Sequence, residues 1–229
     1  MHAYKSDPAI KSLLLARVAK HRKADELLQS YGYWKGGKGC AIGCMAERDN
    51  DPHAFLADLT AIPEPLFRLA DAIFEGLPKK QAQAWPGQFL RAIKPGADLS
   101  LVLPRFLLAL QQRELKKMKK RTEDYAPLIV AAQEQVIAVL KDWIRTGKPN
   151  ESAARSAARS AESAESAAWS AARSAARSAA RSAAWSAASA AKSAARSAES
   201  AASAAWSAAY SWQARTLLGL LAKAKRGKA

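Results

Sequence analysis

Three observations predict an all-α chain. From Glu151 to Trp212 the sequence is written almost entirely in Ser, Ala and one variable residue, and neither Gly nor Pro occurs from Glu151 through Leu218. Ahead of this tract, apolar residues recur at helical spacing in blocks punctuated by Pro and Gly. No block alternates apolar and polar residues well enough to be a strand. The expected organisation is an N-terminal helical domain over 1–149, a repeat helix over 150–222 and a basic tail over 223–229.

Asp7-Pro8 joins an N-cap to Pro at the first helical position, and apolar residues at 10, 13, 14, 15 and 18 with Leu27 and Leu28 carry a helix toward Gly32. A Gly-rich loop follows from Tyr31 to Cys44, and Asp51-Pro52 starts a short helix. Pro63 to Gly76 reads as another, with Leu66, Leu69, Ala70, Ile73, Phe74 and Leu77 on its inner face. Pro86 to Ile93 reads as a brief helix closed by Pro95-Gly96. Asp98 or Ser100 begins a longer one that absorbs Pro104 in an early turn and leaves through the basic run Arg113 to Arg121. Thr122 caps the next, with Pro127 in its first turn, and Gly147-Lys148-Pro149-Asn150 stops it and caps the Ala/Ser tract.

Ala is the best helix former, so the tract should be continuous helix even with Ser at every turn. Its Ser residues fall at steps of three or four from Ser152 to Ser211, tracking the helical turn and drifting slowly around it. At about 100° per residue, the large side chains from Arg155 to Tyr210 share one drifting stripe. The rest of the circumference is Ala and Ser, a surface that lets another backbone approach closely. A helix of this length would run roughly 90 Å at about 1.5 Å per residue, so it either bends back or packs on a second chain. Self-association into a homo-oligomer is the expectation.

The 229 residues carry a formal charge of +16, which favours an anionic partner. No apolar run is long enough to cross a membrane and no signal-peptide pattern opens the chain, so a soluble, cytoplasmic protein is expected. Two Cys are too few for a disulfide framework and suit a reduced compartment. No cofactor is expected.

Candidate anion-binding residues lie in three places. Trp169, Arg173, Arg177, Arg181 and Trp185 interleave guanidinium groups with indole faces along the stripe, which suits phosphates and stacked bases. Glu162, Glu165 and Glu199 share that stripe and argue for a solvated face instead. Lys35 and Lys38 flank the glycines of the loop, where exposed N–H groups could cradle an anion. Lys116, Lys117 and Lys120 belong to the basic run RELKKMKKR, which reads otherwise as a solvated helix end.

Cys40 and Cys44 with His53 and His21 are a possible zinc set, disfavoured because the Cys spacing is atypical and no paired second half exists. A Cys40 nucleophile beside Lys38 is the enzymatic alternative. A structural turn that tucks Cys40, Ile42 and Cys44 into the core is favoured over both. His21 and Asp25, four apart, read as a surface pair, while Asp71 and Glu75 are like charges at the same spacing that require a basic neighbour, expected to be Lys or Arg.

The segments HRKAD, YWKGGKGCAIGC, IPEPLFRLADAIFEGLP and WPGQFLRAIKPGADL, with the SAAR-type tail, resemble a group of uncharacterised bacterial and phage proteins. The resemblance covers roughly residues 20 to 110 and the style of the tail, and implies no activity, cofactor or catalytic residue. Members place a His soon after the second Cys, whereas here only His53 follows, nine residues after Cys44. The expectation is a non-enzymatic binding protein for an anionic partner, with nucleic acid or nucleotide ahead of an acidic protein. An inhibitor- or immunity-type protein that binds an acidic protein, and an enzyme centred on Cys40, are the alternatives.

Overall fold

The structure, a computed structural model, describes residues 2–164, 166, 170 and 188–227. It is mostly helical, with one two-stranded hairpin among the described residues. The chain divides into two compact units, one of residues 1–106 with 205–229 and the other of residues 107–204. The first unit thus closes with residues that the sequence reading gave to the repeat helix and basic tail.

The first unit begins with Tyr4, Lys5 and Ser6 in consecutive left-handed conformations, which are unfavourable for residues with a Cβ. Long-range bonds hold this turn: Tyr4 Oη donates to the Leu90 carbonyl at 3.0 Å, and Ala3 N–H to Ala97 O at 2.9 Å. Helix α1 spans Pro8–Lys23, and the Asp7 carboxylate caps it by accepting from Ala9 N–H at 2.7 Å. It ends earlier than the apolar pattern predicts. Asp25 turns left-handed, Glu26 N–H reaches back to His21 O at 2.9 Å, and Leu28 N–H pairs with Gly39 O at 2.8 Å. Leu27 is buried by strand-like pairing with Gly39 and not by a helix face.

Strands β1 (Trp34–Lys35) and β2 (Lys38–Gly39) form an antiparallel hairpin across Gly36 and Gly37, both with positive φ. Too short to show alternation, the hairpin is visible in the sequence only as its Gly-Gly turn. Helix α2 (Ala41–Ala46) is buried along its whole length, and α3 (Pro52–Thr60) and α4 (Glu64–Gly76) pack around it. Helix α5 (Lys79–Ala92) starts seven residues before the expected Pro86 and carries that Pro inside. Pro86 does not set the start because Trp85, buried, donates Nε1–H to Ala70 O at 2.8 Å and fixes the preceding turn on α4.

Helix α6 spans Val102–Met118 and α7 Ala126–Thr146, the latter stopped by Gly147 at φ 77°. Tyr125 and not Thr122 precedes α7, and no side chain caps it. Asn150 does cap the next helix, α8 (151–164), by accepting from Ala153 N–H at 3.0 Å. Within the second unit Ala157 and Ala164 of α8 are buried, and Ala161 and Ala164 line a groove with Ile129, Ala132 and Val136 of α7. Small residues on α8 thus permit the close approach expected of the Ala/Ser face.

Helix α9 runs Ala188–Lys223. From residue 205 it belongs to the first unit, where Ser211, Ala214, Leu217 and Leu221 are buried and Ser211 Oγ donates to Gln81 Oε1 at 2.9 Å. The Tyr210 ring lies so close to Gly76 that any side chain there would overlap it. Beyond the helix, Asp98 N–H donates to Lys225 O at 2.9 Å and Gly227 N–H to Gly96 O at 3.0 Å. Among the described residues, no helix is long and apolar enough to cross a membrane.

Candidate functional site

The last of these backbone bonds build a pocket that the sequence reading does not anticipate. Residues 225–227 lie along 96–98, bringing Lys225 and Arg226 beside Lys223 at the end of α9 and Arg105 in the first turn of α6. Together with Ser100, Leu101 and Val102 they line a cavity of about 330 Å³. The four cationic side chains are exposed, and none forms an ion pair among the described residues. Asp98 is the one carboxylate in the lining, and its acid is held below the usual range chiefly by the Ser100 N–H, which donates to it at 3.0 Å. Such a concavity concentrates positive potential beside the Ser100 side chain, an arrangement that suits a phosphate-sized anion. The basic run after Ala222 hints at this site, but Arg105 becomes part of it only through the pairing of 225–227 with 96–98.

The hairpin brings the predicted pair Lys35 and Lys38 directly opposite one another as cross-strand partners. Like charges in that position repel, and no carboxylate relieves them among the described residues. Tyr31 and Tyr33, 45% and 38% exposed, precede them in the chain, the Tyr33 ring packing edge-on against His53 at 5.2 Å. Lys116 on α6 and Lys120 just beyond its end are exposed, whereas Lys117 pairs with Glu114 at 2.7 Å. Lys116 and Lys119 share a shallow groove with Gln112 and Leu115. Trp169, Arg173, Arg177, Arg181 and Trp185 lie outside the described residues.

The sequence-predicted zinc set separates into two clusters. His21, buried and not the surface partner of Asp25, bridges Glu26 through Nδ1 at 2.6 Å and Glu47 through Nε2 at 2.9 Å. Cys44 turns its sulfur to the carbonyls of Gly39 and Glu26, at 3.5 and 3.8 Å. Cys40, at the start of α2, instead faces Asp71 and Glu75 of α4, with the sulfur and both carboxylates within 4.8 Å of one another. The neighbours of that acidic pair are therefore Cys40 and His53, whose Nε2 lies 3.4 Å from Asp71 Oδ2, in place of the expected Lys or Arg. Burial, then the Asp71 charge, pushes the Cys40 thiol up to about 12, so a free thiolate nucleophile is not what this environment stabilises. Burial also raises the Glu75 acid, against the Ser30 N–H that donates to it at 2.7 Å, and Asp71 adds to the rise.

No family model, curated protein or solved structure matches the chain.

Proposed function

We propose that this is a binding protein for the phosphates of a nucleic acid or nucleotide. The observation that carries the reading is the pocket of Arg105, Lys223, Lys225 and Arg226, four cations around about 330 Å³ with a single carboxylate among them. Guanidinium forks match phosphate oxygens in pairs, and a cavity of that size admits a phosphate with its sugar. The hairpin supports the same partner, because Lys35 and Lys38 gain from a shared anion while Tyr31 and Tyr33 offer ring faces to bases. In the second unit exposed Lys116 and Lys120 are a separate basic group, and the Arg/Trp stripe of the sequence is a further candidate for phosphate. Self-association through the Ala/Ser face would multiply such contacts along one strand.

The test is a fluorescence-anisotropy titration of a labelled single-stranded oligonucleotide across a series of salt concentrations. Arg105→Glu with Arg226→Glu should weaken binding at least about tenfold and lower the salt slope by roughly 1.4, since each lost phosphate contact removes about 0.7 from it. A wild-type chain that binds no oligonucleotide or nucleotide at low salt would sink the reading. Binding of an acidic polypeptide under the same conditions would transfer it to the acidic-protein alternative.

A further inference from the structure

We propose that Cys40, His53, Asp71 and Glu75 form a binding site for a divalent cation of the zinc class, separate from the cationic pocket. The sulfur of Cys40 and carboxylate oxygens of Asp71 and Glu75 already lie within 4.8 Å of one another. Zinc holds oxygen at about 2.0 Å and sulfur at about 2.3 Å, so closing these three donors around one ion takes movements of roughly an ångström, and His53, outside that group but 3.4 Å from Asp71, would have to swing in to join them. The placement follows from the fold. Asp71 and Glu75 are one turn apart on α4, Cys40 begins α2 against that face, and α3 carries His53 toward Asp71.

The independent observation is His53. Its residue is 3% exposed, and its Nε2, aimed at Asp71, has no hydrogen-bond partner. Asp71 Oδ1 is likewise buried without a partner. Buried polar atoms are almost always satisfied, yet His53 Nε2, 3.4 Å from Asp71 Oδ2, and the other oxygen of that carboxylate both lack a hydrogen bond. One cation would satisfy both and would offset the repulsion between Asp71 and Glu75, to which no Lys or Arg is paired among the described residues. The donor set decides the metal class. Sulfur with imidazole suits zinc or its neighbours, whereas magnesium and calcium take oxygen alone. Exposed Glu75 leaves a path from solvent. Cys44, turned to the Gly39 and Glu26 carbonyls, is outside the set and serves as the control.

The full chain, dialysed against a chelator, would be titrated with Co²⁺ and with Zn²⁺. One equivalent of each should bind, and Co²⁺ should produce a thiolate-to-metal charge-transfer band in the near ultraviolet. Cys40→Ser should abolish that band and Cys44→Ser should keep it. Asp71→Asn, which preserves shape and leaves the thiol in place, should weaken Co²⁺ binding at least about tenfold, with a circular dichroism melt reporting that the variant is folded. A wild-type chain that takes up neither metal, a band that survives Cys40→Ser, or a folded Asp71→Asn variant with undiminished affinity would each overturn the proposal. None of these outcomes bears on oligonucleotide binding, so the two readings fail separately.

Discussion

Residues 31–47 and the Ala/Ser tract use opposite means to reach a defined structure. In the first, local preference for helix is weak and contact is dense. Helix α2 has six residues with a Gly in the middle, yet every one of them is buried, and Gly39 and Gly43 pack so tightly on Tyr33 that a methyl group at either would overlap its carbonyl. Along α9, local preference is strong and contact is sparse: residues 201–206 are exposed throughout, and among the described side chains of that helix burial begins at Ser211. A short helix needs its neighbours to exist, while a long Ala-rich one needs neighbours only to be located. The repeat thus specifies a helix without an address, and the address of its C-terminal end is written in Leu217 and Leu221, which break the pattern, and in the bond from Ser211 to Gln81 of α5.

The largest effect should come from removing that address. Leu217 is fully buried, so Leu217→Ala should cost about 2–5 kcal/mol in a chemical-denaturation experiment through lost burial and the cavity left behind. A variant as stable as the parent would mean that the docking of 205–221 on the first unit adds nothing to its stability. It would also remove the basis of the pocket, since Lys223, Lys225 and Arg226 reach Arg105 only if α9 docks.

Gly43→Ala should come next, at about 1–3 kcal/mol, because the added methyl overlaps backbone and not a flexible side chain. Ala is the better helix former, so propensity alone forecasts stabilisation. A rise in melting temperature would show that residues 31–47 are governed by local preference after all. Ala202→Gly tests the opposite pole. It sits on an exposed part of α9 and should cost about 1 kcal/mol of local helix stability, read as a small loss of helical circular dichroism without loss of the first unit's tertiary signal.

This contrast explains what the sequence makes legible. The all-α class, the Asp7 and Asn150 caps, the α4 face and the Gly147 stop are all local signals, and each appears in the structure. The early end of α1 and the start of α5 are decided by Glu26 meeting Gly39 and Trp85 meeting Ala70, partners in other elements, whereas the hairpin is local but too short to show alternation. The same holds for the sites. Spacing along α4 marks Asp71 and Glu75 as needing a positive neighbour, but only the fold identifies Cys40 and His53 as what faces them. Lys35 and Lys38 are readable from the Gly-Gly turn, whereas Arg105 has no signal until residues 225–227 pair with 96–98.

The smallest expected effect is the acid sensitivity that the Glu47 cluster lends to the contact-built region. Glu47 ends α2 in a left-handed conformation and ties it to α1 through Arg17 at 3.2 Å, Lys20 at 3.3 Å and His21 at 2.9 Å. Partial burial opposes its charge, but the hydrogen bonds from His21 and Lys20 and the charges of Arg17 and Lys20 outweigh it and hold the acid below its ordinary value. A carboxylate depressed on folding contributes stability that is complete above its unfolded pKa of about 4.3 and is lost as pH falls through the folded value. Unfolding free energy should therefore decline on acidification from about pH 5 downward, and Glu47→Gln should reduce that slope. The loss should register in near-ultraviolet signals of the first unit, where Trp34 packs edge-on against His21 at 4.9 Å. The exposed helix at 201–206 carries no carboxylate, so its circular dichroism should hold across the same range. An acid response of equal size in the Glu47→Gln variant would show that the cluster around α2 does not couple protonation to this part of the fold.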